Sequence, residues 1–241
     1  MIHDAIGSNS SPDLESLANI WMKDFSDDQF KTFKTGGFFS VWAVEKFKII
    51  SLNTLYFSKN NFLAENCKSG SSPGFIQLEW IASELKDAQE KGGKVLLAGH
   101  IPPLEIFYHE NCLEGLIDLI NTYSDIISFQ TYGHIHIDDF FILKHTKIPI
   151  SVALVSPSLS PVFNPSYRIY EVDVNDGSLI DYHQFYSPLN AKKFEFIKEY
   201  SLKEAFGNMQ LTLEYFINIK LRELKNSSMR IQRKRYRKVR Y

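Results

Sequence analysis

Gly99-His100-Ile101-Pro102-Pro103 and Gly133-His134-Ile135-His136-Ile137-Asp138-Asp139-Phe140 hold three of the seven histidines in this chain of 241 residues. Each stretch places a histidine directly after a glycine. Each also follows an apolar run that reads as a buried strand, Val95–Ala98 and Ile126–Phe129. A glycine at a strand end lets the backbone bend and a ligand come close, so the imidazole turns out at the sheet edge. In extended geometry His134 and His136, two residues apart, project to one side. A lone Gly-His at a strand end is ordinarily a turn with a solvated or core histidine. Two such ends, one of them Gly-His-x-His, point instead to a metal site. Imidazole donors suit zinc, iron or manganese better than calcium or magnesium.

The elements that must position these histidines follow from hydrophobic periodicity. Phe38–Val44 and Phe47–Asn53 read as a strand pair split by Glu45-Lys46, and Leu14–Met22 as a short helix. Phe75–Lys91 carries Leu78, Ile81, Ala82, Leu85 and Ala88 on one face and stops at Gly92-Gly93, the pattern of an amphipathic helix. Lys94–Ala98 is a buried strand and Leu113–Tyr123 another helix. Strands are predicted at Ile126–Tyr132, Asp139–Lys144, Ile150–Val155, Tyr167–Val174 and Leu179–Tyr186, with helix from Ser201 onward. Helices between early strands, followed by consecutive strands, predict mixed α/β layers with two packed sheets.

With 44% hydrophobic residues, the chain is long enough for one sizeable core and makes no demand for two domains. No apolar run reaches the roughly eighteen residues of a membrane helix, and the opening Met1-Ile2-His3-Asp4-Ala5 lacks the pattern of a signal peptide. A net charge of -1 hides a split. Lys220–Tyr241 carries ten Lys/Arg against one acid, leaving 17 basic and 27 acidic residues elsewhere. Arg230, Arg233, Lys234, Arg235, Arg237, Lys238 and Arg240 could grip a polyanion by displacing its counterions. A solvated extension without a partner has the same composition. Nucleic-acid binding, with Tyr236 and Tyr241 among the arginines, is a weaker variant. Cys67 and Cys112 flank the Gly-His-Ile-Pro-Pro loop and could equally be free thiols or a bridge.

These motifs give the chain a resemblance to the calcineurin-like metallophosphoesterases, in the branch of the endopolyphosphatases and acid sphingomyelinase-like phosphodiesterases. It runs from about Gly7 to about Leu221. The two histidine stretches resemble the family's last two metal motifs. Ser156-Pro157-Ser158-Leu159-Ser160-Pro161 and Asn164-Pro165-Ser166-Tyr167-Arg168-Ile169-Tyr170 resemble the strand pair that follows them. Gly36–Val41, Ile50–Phe57 and Asn218 are more similar to the endopolyphosphatases, whereas His136 and the positions of the two cysteines are closer to the sphingomyelinase-like group.

The resemblance implies a layered αββα sandwich lacking its N-terminal strands and helices. Residues 1–190 would form a partial metallophosphoesterase domain, 191–225 a C-terminal helical extension, and 226–241 a disordered basic tail. It also implies a Cys67–Cys112 bridge and a two-metal hydrolase of the zinc, manganese, iron or cobalt class. In such a site two ions activate a water and neutralise phosphoryl oxygens. Carried onto this chain, His100, His134 and Asn9 would ligate one ion and His136 the other. The family's Asp-x-His and Gly-Asp motifs have no counterpart here, and its asparagine motif is reduced to Gly7-Ser8-Asn9-Ser10. At most one ion is therefore expected to be well held. Asp138 and Asp139 are expected to have structural or supporting roles.

On that resemblance the chain is expected to be the C-terminal two thirds of a longer phosphoesterase. Without the rest, Val95–Ala98 is expected near an uncovered sheet edge. Endopolyphosphatase-like hydrolysis of phosphoanhydride bonds in polyphosphate is the first expectation. A sphingomyelinase-like phosphodiesterase is the second, and an inactive remnant binding polyanions through the tail the third. A vacuolar or lysosomal lumen, or the secretory pathway, comes with the resemblance.

Overall fold

The computed structural model describes residues 12–21, 23–62, 64, 66–68, 70, 72–160, 163–207 and 211–225. In chain order its elements are α1 (Pro12–Trp21), α2 (Asp27–Gly36), β1 (Phe39–Val44), β2 (Phe47–Ser51), a 3-10 turn at Thr54–Phe57, α3 (Pro73–Glu90), β3 (Lys94–Ala98) and α4 (Glu110–Thr122). Then come β4 (Ile127–Tyr132), β5 (Asp139–His145), β6 (Ile148–Val155), β7 (Ser166–Val172), β8 (Leu179–Tyr186), β9 (Ile197–Ser201), α5 (Leu202–Phe206) and α6 (Leu213–Lys225).

Local chemistry sets the helix ends. Ser72 accepts from the Phe75 amide ahead of Pro73, which has the φ and the missing N–H suited to a first helical turn. At α2, Ser26 and Gln29 cap each other's backbone amides, and Gly37 closes the helix at φ 68°. This helix has no counterpart in the periodicity reading, because Phe30 and Phe33 are too few to mark an apolar face in DDQFKTFKTG.

Six strands form one sheet in the order β1-β2-β3-β4-β6-β5, and β7-β8-β9 form a second, antiparallel sheet. Within the first, β2, β3, β4 and β6 run parallel, flanked by antiparallel β1 and β5. The expectation that Val95–Ala98 lies near an uncovered edge is therefore corrected. β3 sits between β2 and β4, because the β1–β2 hairpin folds back to supply its neighbour. The sheet's edges are β1 and β5. On β1, Gln29 of α2 donates to the Ser40 carbonyl at 2.6 Å and takes up part of that edge.

Two cores result. One face of the large sheet packs on α3 and α4 through fully buried Ile81, Leu85, Leu97, Leu116 and Ile120, each stabilising the fold by about 1.5–3 kcal/mol. Lys48 of β2 crosses this layer to Glu84 and Asp87 of α3 at 2.6 and 2.7 Å. Its hydrogen bond, with that of Lys91, holds the Asp87 carboxyl below its ordinary range. The other face meets the second sheet and α6 through Phe129, Phe140, Leu154, Tyr182 and Phe216. The architecture is a mixed α/β sandwich of two sheets with helices. Residues 191–225, predicted to be helical, also contribute β9, whose backbone completes the second sheet on β8.

Candidate metal centre

Parallel β2, β3, β4 and β6 end at one edge of the large sheet, the side on which open α/β sheets collect ligands. His100 follows β3, and His134 and His136 follow β4. Sequence reasoning brought these residues together because Gly-His falls at the ends of two adjacent strands.

The first turn is tightly built. A Cβ at Gly99 would come within 2.6 Å of the Thr54 methyl and 3.1 Å of the Tyr132 ring, so only glycine fits. The Ile101 amide donates to Thr54 Oγ1 at 2.9 Å, and the Tyr108 hydroxyl donates to the Ile101 carbonyl at 2.8 Å. Both Ile101 and Tyr108 are buried.

The second turn is different. His134 and His136 have φ of 70° and 58°, so the loop is not extended and two-residue alternation is not what orients the rings. Gly133 is not strained, and a Cβ there would make only ordinary contacts. The histidines themselves take the left-handed backbone, at about 1–2 kcal/mol per residue. The loop starts on the first turn, with the Gly133 amide donating to the His100 carbonyl at 2.9 Å, and Ile135 folds back onto the Gly133 carbonyl at 2.8 Å.

Loop 133–138 ends on Asp138, one of whose oxygens lies 2.5 Å from Arg168 Nη2 while the other accepts from the Tyr200 hydroxyl. Arg168 is a buried guanidinium lying 4.0 Å from the Tyr182 ring centroid, and the adjoining carboxylate keeps it charged. The motif reading gave Asp138 a supporting role without a partner. Arg168 and Tyr200 were missed because they lie 30 and 62 residues away in sequence.

His134 Nδ1 and His100 Nε2 face each other at 3.3 Å, with the rings edge to face. Partial desolvation comes first in pushing both imidazoles below their ordinary pKa. The charge of His136 adds to this at both rings, and that of His100 adds at His134. Both are therefore neutral, ligand-ready donors at neutral pH. Phe107, from the first loop, packs edge-on against His134 at 4.9 Å and shields one side of the pair.

Zn–N bonds of about 2.0–2.1 Å place two nitrogens on one tetrahedral ion about 3.3–3.4 Å apart. The His100–His134 separation thus fits one edge of such a coordination sphere. Among the described residues no group of three or more His, Cys, Asp or Glu is arranged to hold a metal ion, so the edge stands without a face. His136 lies close enough for its charge to be felt by both rings without completing a group of three. Asn9 and the tail residues Arg230, Arg233, Lys234, Arg235, Arg237, Lys238 and Arg240 lie outside the described residues. Cys67 and Cys112 are joined by a disulfide that ties the loop before α3 to α4.

No protein-family model matches the chain. Among individual proteins, sphingomyelinase phosphodiesterase C of Dictyostelium discoideum is 31% identical over 82% of this chain and 49% of its own length. Human cyclic GMP-AMP phosphodiesterase SMPDL3A is 31% identical over 71% of this chain and 41% of its own. The endopolyphosphatase of Neurospora crassa is 35% identical over 58% of this chain and 19% of its own. The chain thus spans half or less of the length of the curated relatives it matches. A dimetal phosphatase from Danio rerio overlaps 63% of this chain and 55% of its own with a TM-score of 0.39 at 11% identity. The sequence relatives, among them the Dictyostelium protein at 31% identity over 82% of this chain, place the chain within the calcineurin-like metallophosphoesterase superfamily, in the branch of the endopolyphosphatases and sphingomyelinase-like phosphodiesterases.

Proposed function

We propose that this chain carries the histidine side of a metal-dependent phosphodiesterase site, with His100 and His134 as paired ligands of one divalent ion and His136 beside them. The observation that carries this is the 3.3 Å separation of two nitrogens on adjacent Gly-His turns. A bound ion would supply Lewis-acid polarisation of a phosphoryl oxygen. The chain's own contribution is to hold two neutral imidazoles side by side and to wall them off with Phe107.

A phosphodiester is favoured over polyphosphate. Alignment with the sphingomyelinase phosphodiesterase and the cyclic GMP-AMP phosphodiesterases covers 71–82% of the chain and 41–49% of each relative, whereas alignment with the five endopolyphosphatases covers 55–83% of the chain and 18–43% of each relative. The loops around the histidines also lack the clustered cations that a repeating polyanion needs. Gly99–His109 carries one acid, Gly133–Asp138 one acid already paired, and Leu52–Phe62 one lysine. The disulfide supports placement in an oxidising compartment such as a vacuolar or lysosomal lumen or the secretory pathway.

Hydrolysis of bis(4-nitrophenyl) phosphate and of polyphosphate by the full chain, with zinc, manganese or cobalt, tests this reading. Turnover of the diester that His134→Ala abolishes is expected. Polyphosphate cleavage without diester cleavage would reverse the substrate order. A second reading, a polyanion-binding protein without turnover, is favoured by the want of a third ligand among the described residues. It predicts salt-sensitive polyphosphate binding that survives His134→Ala and is lost when residues 226–241 are removed.

A further inference from the structure

We propose that Arg168 and Tyr200 are positioning residues for the candidate centre. By occupying both oxygens of Asp138 from the second sheet, they hold loop 133–138 in the left-handed shape that brings His134 against His100.

Two consecutive-but-one non-glycine residues with positive φ persist only where their surroundings over-determine them. The start of the loop is fixed by Gly133 on the His100 carbonyl. Its far end is fixed by Asp138, two residues beyond His136. One carboxylate oxygen meets Arg168 Nη2 at 2.5 Å and the other accepts from the Tyr200 hydroxyl. Arg168 cannot drift, because its Nε donates to Gln184 Oε1 at 3.0 Å, its Nη1 to the Val155 carbonyl at 3.4 Å, and its plane lies on Tyr182. Gln184, itself fully buried, is held in turn by the carbonyls of Tyr167 and Phe185. A continuous set of contacts therefore runs from β8 through β7 and β9 to a strained loop on the other sheet. Only a guanidinium has the planar fork that meets the carboxylate, a backbone carbonyl and a side-chain amide at once.

The positional effect on metal affinity rests on the reading of His100 and His134 as ligands, whereas the effect on loop shape does not. The full chain is compared with Tyr200→Phe, Arg168→Lys and Asp138→Asn. His183→Gln, which breaks a pair with Glu171 elsewhere in the second sheet, serves as the control. Backbone amide NMR reports the loop, and zinc titration calorimetry reports the site. Tyr200→Phe, which removes one hydroxyl, is expected to shift the His134 and His136 amide signals and to weaken zinc binding about 10-fold. Arg168→Lys and Asp138→Asn are expected to do the same or more, and the control neither. Unchanged amide signals and zinc affinity in Tyr200→Phe and Asp138→Asn, alongside a lowered urea midpoint, would overturn the proposal and leave the ion pair a plain stabiliser. Absence of zinc uptake by the unmodified chain would sink the metal reading alone, and the amide signals would still decide the positioning role.

Discussion

The two turns that bring histidines together are built in opposite ways. The His100 turn is held from within its own neighbourhood, by a glycine that nothing else can replace, the Thr54 hydroxyl and the buried Tyr108. The loop bearing His134 and His136 spends its backbone on two left-handed residues and leans on an arginine from the other sheet. The first is a rigid post set by packing within its own sheet and that sheet's loops. The second is a shape imposed from the other sheet, and its stability and its geometry should respond separately to mutation.

The largest expected difference concerns the disulfide on the rigid side. It closes a sequence separation of 45 residues, and in the chain-entropy account its removal by Cys67→Ala with Cys112→Ala costs about 4 kcal/mol. Urea denaturation should show that loss while the His134 and His136 amide signals stay in place. Asp138→Asn comes next. It leaves the buried Arg168 guanidinium without its carboxylate, so a destabilisation of about 3 kcal/mol is expected on the same assay. Here the loop signals should move.

A smaller loss, about 1 kcal/mol, is expected for Tyr108→Phe, which deprives the Ile101 carbonyl of its donor. In the opposite direction, His134→Gly should raise thermal stability by about 1 kcal/mol while removing the ligand. A loss of stability in His134→Gly would mean that the loop is not strained and that the comparison between the turns is mistaken.

The two regions also titrate with opposite sign. His100 and His134 have folded pKa values below the unfolded 6.5, so the unfolded chain binds more protons as pH drops through that value. Their contribution is whole above pH 6.5 and is lost as pH falls towards the folded values. Beside Asp138 and Arg168, Glu199 is pushed up to about 7, by burial first and by Asp138 second, with Arg168 opposing. Its contribution is whole below its ordinary 4.5 and is lost as pH rises through about 7. Glu199→Gln is therefore expected to raise the melting temperature at pH 7.5 and to leave it unchanged at pH 4, as read by calorimetry. An equal effect at both pH values would remove Glu199 from this balance.

What was legible in the sequence follows from how far apart the causes lie. Strands such as Lys94–Ala98 and Leu179–Tyr186 announce themselves by apolar content, and α3 by its periodic face and its Gly92-Gly93 stop. The meeting of His100 and His134 was legible because both motifs sit at strand ends of one parallel sheet. β9 was not, since Ile197-Lys198-Glu199-Tyr200 lacks an apolar run and becomes a strand only on the edge that β8 offers. Nor were the left-handed histidines. Glycine was expected to do the bending, and at Gly133 the strain passes to its neighbours because Asp138 is tied to residues 30 and 62 positions downstream. Local patterns therefore revealed which residues meet, and long-range contacts decided how.

The strand order has a consequence for assembly. After β4 the chain crosses over the end of β6 to begin β5 at the outer margin, and only on the return does β6 enter between the two. Loop 133–138 is thus an arch over the slot that β6 fills. Its span is set by the register that places Val155 opposite Asp139. Proximity of the two imidazoles is then tied to closure of the sheet, since a chain that leaves β6 unpaired gives the arch no fixed span.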